Sequence, residues 1–169
     1  MTELTEFKRW ENNISGLRLP KWKEMPGLGL YVDQVAAVIN EQLTTLGVEP
    51  ITKSMINNYV KKKVIQAPIK KKYAANQIVD LLIIGLFKNT FTIDNIRQGI
   101  SQITITMYPQ QAYDRFVEIF NARLAKKEVI IENDSDRLMD LAIAAVLAEL
   151  KTTYLLKELN KVNPPKAEI

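Results

Sequence analysis

Two lysine triplets are the residues of this chain whose type and spacing most directly indicate chemistry. They occupy positions 61–63 and 70–72, on either side of a Val-Ile-Gln-Ala-Pro-Ile spacer. Residues 53–72 contain seven lysines and no Asp or Glu, whereas the whole chain has a formal charge of only +4, so the rest carries −3 (4 minus 7). Because the positive charge is concentrated in one segment, the pattern favours a polyanionic partner over a general role in solubility.

The residues before the first triplet are predicted to form a helix, residues 53–62, with a polar outer face. Thr52 is a suitable N-cap, and helical spacing places five residues on the inward side, namely Met55, Ile56, Tyr59, Val60 and Lys63. The outer face then contains Lys53, Ser54, Asn57, Asn58 and Lys61. Lys53, Asn57 and Lys61 are four residues apart and form one row of hydrogen-bond donors. An Asn side chain can also pair with adenine through two hydrogen bonds, so this row suits the edge of a DNA base.

The remaining chain is predicted to be helical, which makes the fold class all-α. Apolar periods and end signals predict helices near residues 4–14, 33–46, 74–86, 92–103, 109–124 and 136–160. Asp33 and Thr92 are the expected N-caps of two of them, Asp134 or Ser135 is expected to start the last one, and Gly47 is a stop signal. Pro68 excludes a helix between residues 65 and 73, where a tight turn or a tiny two-stranded wing is expected instead.

Two further expectations concern burial. The breaker-rich linker, residues 17–30, carries Trp22, Met25 and Leu28, which are expected to pack on a neighbouring element. The last helix is apolar on nearly all sides as far as Leu150, so we expect it to be central and buried.

Enzymatic activity is not expected. The chain has no cysteine and no histidine, which excludes a disulfide framework, a thiolate nucleophile, a Cys/His zinc site and an imidazole base. No phosphate-binding loop, nucleophile elbow or acidic metal loop can be read, and no cofactor is expected. The longest apolar runs, residues 81–87 and 141–150, are shorter than the ~18–20 residues of a membrane-spanning helix. The acidic opening does not resemble a signal peptide, so a cytoplasmic location is expected.

Four segments follow one another in the order of a bacterial family. They are YVDQVA at 31–36, MINNYV leading to KVI at 55–65, YAANQIVDLL at 73–82 and TIDNI at 92–96. Over residues 31–99 this order resembles the MerR-type winged helix-turn-helix. The whole chain is similar to a set of bacterial proteins that have a degenerate MerR-like N-terminal domain followed by a helical C-terminal part. Asn57 stands where that family usually has Arg, Asn58 where it has Tyr, and Lys63 where it has Gly.

The resemblance implies an organisation and a function. It divides the chain into an N-terminal helix and linker (1–30), a MerR-like winged helix-turn-helix domain (31–104) and a C-terminal helical subdomain (105–169). It implies a sequence-specific, double-stranded DNA-binding transcriptional regulator, with residues 53–62 in the major groove and a basic wing on the phosphates. Readers of this type bind as dimers, so a homodimer through residues 109–160 is expected, without a membrane partner. No small-molecule effector follows from the resemblance.

The expected DNA-binding residues lie on the helix and on the wing. They are Thr52, Lys53, Ser54, Asn57, Asn58, Tyr59, Lys61, Lys62, Lys63, Lys70, Lys71, Lys72 and Tyr73. A second interpretation stays open because the Arg-Tyr pattern is missing. In that interpretation the head is a degenerate helix-turn-helix that binds another protein and no DNA.

Overall fold

The structure, a computed structural model, describes the backbone of residues 2–167 and the side chains of residues 5–167. Residue 1 and residues 168–169, at the ends of the first and third predicted segments, lie outside it. The described chain is all-α, which confirms the predicted class, and a 3₁₀ turn (Trp22–Glu24) lies in the linker. The helices are α1 (Thr2–Ser15), α2 (Val32–Leu46), α3 (Lys53–Lys61), α4 (Ala75–Phe87), α5 (Ile93–Thr106), α6 (Pro109–Leu124) and α7 (Asp134–Val162).

Side-chain caps start the helices on either side of the basic segment. The Thr52 Oγ1 accepts a hydrogen bond from the Met55 N–H at 3.1 Å. The Thr92 Oγ1 likewise accepts from the Asn95 N–H at 3.1 Å. Each bond satisfies one of the backbone donors that a helix start leaves unpaired, so both predicted caps are confirmed.

One predicted helix start is wrong and another is confirmed. Asp33 lies inside the first turn of α2, because the N-cap is Tyr31, whose N–H donates to the Gln34 Oε1 at 2.9 Å. Helix α7 begins at Asp134, one of the two residues expected to start it, and its N-cap is Asn133, whose Oδ1 accepts from the Asp136 N–H at 2.8 Å.

One continuous hydrophobic core joins the helices, and α4 contributes more buried residues to it than any other helix. Helix α2 crosses α4 at Gly85, where an added Cβ would lie 2.8 Å from Leu43 Cδ1. Helix α7 packs against α6 and α1, and the rings of Trp10 and Tyr154 stack with their centroids 4.2 Å apart. The core therefore holds α2–α5 and the C-terminal helices together.

Both burial expectations are partly wrong. Trp22 is half-buried and Met25 is buried in the linker, but Leu28 is 84% exposed. Helix α7 is buried on one side only, and its outer side exposes Leu138 and Leu141. The N-terminal half of α7 therefore forms part of the surface rather than a central helix. Among the described helices, none is long and apolar enough to cross a membrane.

Candidate nucleic-acid interface

A side chain of α2 holds the start of α3. The Asn40 Nδ2 donates to the Ile51 carbonyl at 2.8 Å, and the Asn40 Oδ1 accepts from the Ile51 N–H at 2.8 Å. Ile56 and Tyr59 then bury the inner side of α3 in the core. Because the turn is bonded at both polar atoms of Ile51 and the helix is packed below, the direction of α3 is fixed relative to α2.

The outer face of α3 is exposed and contains the predicted polar residues. Lys53, Ser54, Asn57, Asn58 and Lys61 are all exposed. Within residues 5–167 the side-chain amides of Asn57 and Asn58 form no hydrogen bond, so their donors and acceptors face solvent. Lys53 is paired instead, with its Nζ 3.3 Å from Asp33 Oδ1. The two Asn residues are therefore the free hydrogen-bonding groups at the centre of this face.

Lys63 ends α3 in a conformation that favours glycine. Its φ angle is +60°, which is in the left-handed region. The Lys63 N–H donates to the Val60 carbonyl at 3.0 Å, and the Val64 N–H donates to the Tyr59 carbonyl at 2.9 Å. These two bonds form a Schellman motif, in which the left-handed position is usually Gly. Lys63 is exposed rather than inward as helical spacing predicted, and lysine is a less stable choice than glycine at this position.

Two more lysines adopt the same conformation in a hairpin at residues 69–72, here called the basic hairpin. Lys70 and Lys71 have φ angles of +51° and +66°. The Ile69 N–H donates to the Lys72 carbonyl at 3.1 Å, and the Lys72 N–H donates back to the Ile69 carbonyl at 2.9 Å. Positive φ at both central residues of a two-residue hairpin defines a type I′ turn, which strongly favours Asn-Gly. The tip therefore exposes two lysines in place of the residues that this turn prefers.

The basic hairpin is attached to the linker and to α4. Tyr73 and Leu30 form an antiparallel bridge, with N–H to carbonyl distances of 2.7 and 3.0 Å. Gly29 allows this close approach, because a Cβ there would lie 2.9 Å from Lys72 Cβ. Buried Gln77 of α4 donates from its Nε2 to the carbonyls of Gln66 and Ala67, at 3.0 and 2.8 Å. These contacts fix the base of the hairpin on the protein.

Arg97 of α5 holds the chain between α3 and the hairpin. Its Nη1 donates to the Val64 carbonyl at 3.3 Å and to Asp80 Oδ2 at 2.9 Å. Burial raises the pKa of Asp80, and the neighbouring guanidinium opposes that rise. Through Nη1 the guanidinium therefore links α4 to the chain after α3 and helps to position the basic segment.

The six lysines of the two triplets form an exposed surface with the outer face of α3. None of them has an acidic group within 4.0 Å among the residues described. Lys72 makes one further contact, with its Nζ 5.7 Å from the centre of the exposed Tyr31 ring. A cation over a ring face is weakly attracted to it and keeps its charge. The surface is therefore available to an anion without the loss of an internal ion pair, except at Lys53.

Eleven of the thirteen predicted residues share this surface, and two do not. Tyr59 and Tyr73 are only 7% and 3% exposed, and burial raises the pKa of both hydroxyls. Their rings support α3 and the hairpin from inside, so we leave them out of the proposed contact surface. Sequence reasoning missed Gln77 as a positioning residue. Gln77 is the third residue of α4, and its Oε1 accepts a hydrogen bond from the Ala74 N–H at 2.7 Å. A Gln at this position of a helix is the signal that could have identified it.

Comparison with known proteins gives one match. Residues 20–116 match the family described as Domain of unknown function (DUF1836), and this range covers more than half of the 169 residues. It includes α2, α3, the basic hairpin, α4 and α5. No curated protein and no solved structure matches the chain.

Proposed function

The chain belongs to the family described as Domain of unknown function (DUF1836), and we propose that it is a sequence-specific, double-stranded DNA-binding transcriptional regulator. In this proposal α2 and α3 are a MerR-like helix-turn-helix, α3 lies in the major groove, and the basic hairpin is the wing. A helix with its side chains is about 10–12 Å across, which suits a groove about 12 Å wide. Such a regulator works on DNA in the cytoplasm.

The observation that carries the proposal is the backbone conformation of three lysines. Lys63, Lys70 and Lys71 all have positive φ angles, and all three side chains are exposed. A non-glycine residue in this region costs about 1–2 kcal/mol. Backbone hydrogen bonds hold these turns, but no described acid pairs with the three side chains, so their charges gain no ion pair within the fold. A role for their charges outside the folded chain, on DNA phosphates, explains why lysine occupies these positions.

Asn57 and Asn58 are the proposed readers of sequence. They are exposed near the middle of α3, between Lys53 and Lys61, and their amides are free to bond a base. Asn pairs through two hydrogen bonds with the N6 and N7 atoms of adenine in the major groove. Phosphate contacts from the lysines set the register in which these amides meet the bases.

The proposed regulator is a homodimer through residues 109–160, since a two-fold protein matches a two-fold DNA site. Support comes from exposed apolar side chains on α7, among them Leu141, Leu156 and Leu159. Light scattering at tens of micromolar tests this part directly. A single mass of 19.3 kDa contradicts the homodimer and leaves DNA binding to be judged separately.

The test of DNA binding compares two triple variants with the same charge. In the first, Lys70, Lys71 and Lys72 are changed to Ala. In the control, three exposed lysines outside the basic surface are changed to Ala, namely Lys8, Lys127 and Lys157. Both variants lower the formal charge from +4 to +1 (4 minus 3). Affinity for random duplexes, and then for a site selected from them, is measured by fluorescence anisotropy at several salt concentrations.

We expect the hairpin variant to weaken binding to all duplexes and to reduce the slope of log affinity against log salt by up to about three units. The control variant should keep most of the parental slope, because its lysines lie away from the proposed contact. Equal slopes in the two variants would show that only net charge matters. If the parent binds no duplex at low salt, the alternative of a protein-binding helix-turn-helix replaces this proposal.

A further inference from the structure

An apolar groove of about 500 Å³ lies between α4, α5, α6 and α7. Its floor is buried: Phe116, Ile96 and Met139 are at most 6% exposed. Its rim is open, and Leu141 there is 63% exposed. None of the lysines of the basic surface lines the groove. It is therefore a second feature of the molecule, separate from the proposed DNA contact.

The chemistry of the lining restricts what the groove can hold. The lining side chains carry no charge, and nearly all are aliphatic or aromatic. Asn95 is the polar exception, and its side chain is exposed at the opening of the groove. A carboxylate or ammonium group placed here would lose its hydration without gaining a counter-charge, which is unfavourable. The lining therefore selects an uncharged molecule with one hydrogen-bonding group for Asn95.

A glycine in the middle of α5 lines the groove. Gly99 is the seventh residue of the fourteen in α5. A glycine inside a helix lowers the stability of that helix relative to alanine. An added Cβ at Gly99 would meet no atom within 4 Å, so packing inside this chain does not require glycine there, and a side chain at this position would extend into the open space of the groove.

We propose that the groove binds an uncharged, lipophilic small molecule whose single polar group bonds to Asn95. Its volume falls in the range of about 300–1,000 Å³ that small-molecule sites occupy, and its apolar lining with one polar group has their usual character. The depth favours a small molecule over a second copy of the chain. A flat helix face would rest on the exposed rim at Leu138 and Leu141 and leave the buried floor unfilled.

Two fluorescent probes with the same ring system test the charge selection. N-phenyl-1-naphthylamine is uncharged and has one N–H donor, and 8-anilinonaphthalene-1-sulfonate adds a negative sulfonate. Fluorescence titration of the full chain, without DNA, should give one site for the uncharged probe. The sulfonate should bind that site at least about tenfold more weakly, because the lining offers it no cation. Displacement of one probe by the other identifies the shared site and separates it from weak binding of the sulfonate to surface lysines.

Two substitutions at one position test the location. Gly99→Leu places a side chain in the groove and is expected to reduce the affinity of the uncharged probe by at least about tenfold, because it fills the volume that the probe would occupy. Gly99→Ala adds only a methyl group and should retain binding. Both substitutions favour a helix, so neither should lower the melting temperature, and loss of binding in Gly99→Leu cannot then be attributed to unfolding.

The outcomes separate the possible occupants. Binding of the uncharged probe at one site, lost in Gly99→Leu and kept in Gly99→Ala, supports the proposal. No binding to the parent, or equal binding to the parent and Gly99→Leu, overturns it. A parental dimer in light scattering that Gly99→Leu converts to monomer also overturns it, in favour of a second copy in the groove. None of these readouts depends on DNA, so the failure of this proposal and the failure of DNA binding are distinguishable.

Discussion

Replacing the tip of the basic hairpin by Asn-Gly should make the protein more stable and a weaker DNA binder. The change is the double substitution Lys70→Asn and Lys71→Gly. Both positions have positive φ angles, and the hairpin is closed by two backbone hydrogen bonds that the substitutions leave in place. Asn-Gly is the sequence that a type I′ turn prefers. The perturbation therefore relieves backbone strain and removes two positive charges at the same time.

The gain in stability follows from the two left-handed residues. Each costs about 1–2 kcal/mol as lysine, and the greater freedom of glycine in the unfolded chain returns about 0.5–1 kcal/mol of that gain. Asparagine keeps part of the strain at position 70, so a net stabilisation of about 1–2 kcal/mol is expected for the pair. For a chain of this size that raises the melting temperature by about 2–8 °C. Differential scanning calorimetry and urea unfolding measure it.

The loss in binding follows from two phosphate contacts. Each contact contributes about 0.9 to the slope of log affinity against log salt, so the double variant should lose about 1.8 units of slope. Between 50 and 200 mM salt these two contacts account for about a twelvefold change in parental affinity, which the variant should not show. Anisotropy titrations of one duplex at four salt concentrations resolve a difference of this size.

Lys126→Gly is a control for DNA binding, since Lys126 also has a positive φ angle, +56°, but follows α6, outside the basic surface, where its Nζ pairs with Glu11 Oε1 at 2.9 Å. It should leave DNA affinity and salt slope unchanged. If Asn-Gly stabilises the protein but affinity and slope equal those of the parent, the hairpin lysines do not contact phosphates. If Asn-Gly destabilises the protein, the argument from backbone strain is wrong.

Three further predictions concern other positions. Asn57→Ala should weaken the free energy of binding to the selected duplex by about 1–3 kcal/mol and leave binding to random duplexes almost unchanged, because a base contact carries sequence information. Competition anisotropy measures both affinities. Gly85→Ala should destabilise the fold by about 1–3 kcal/mol, because its Cβ would lie 2.8 Å from Leu43 Cδ1, whereas Gly99→Ala, with free space, should stabilise it in the same urea titration. The Arg115 guanidinium, 2.6 Å from Asp136 Oδ2, lowers the pKa of Asp136 below its ordinary value of 3.8. The stability that this pair contributes is therefore present above pH 3.8 and is lost as the pH falls through the folded-state pKa. Asp136→Asn should lower the free energy of unfolding by about 3 kcal/mol at pH 7. The free energy of unfolding of this variant should also vary less with pH between pH 2 and 7 than that of the parent.

The helices were largely predictable because their signals are local. Thr52 and Thr92 cap the helices that they were expected to cap, and Pro109 starts α6. The errors occurred where a tertiary contact or a competing cap decides. Tyr31 rather than Asp33 is the N-cap of α2, and its N–H donates to the Gln34 Oε1. The exposure of Leu141 depends on which side of α7 faces the other helices. A single helical period cannot specify that side when most residues are apolar.

The candidate site was predictable as a set of charges but not as a geometry. Lysine triplets and exposed amides can be read from composition and spacing. The left-handed conformations of Lys63, Lys70 and Lys71 could not be read, because lysine is uncommon there and the turn is defined by backbone bonds. Gln77 also bonds to carbonyls 10 and 11 residues earlier, a separation that no helical or strand period encodes.

The bond pair between Asn40 and Ile51 has a consequence for how this surface can change in evolution. Because the Asn40 side chain of α2 is hydrogen-bonded to both the N–H and the carbonyl of Ile51, an inserted or deleted residue in the turn before α3 would break two hydrogen bonds at once. Substitutions on the outer face of α3, by contrast, leave those bonds and the buried inner face intact. New binding preferences can therefore arise by exchange of single exposed side chains, while the length of the turn stays fixed.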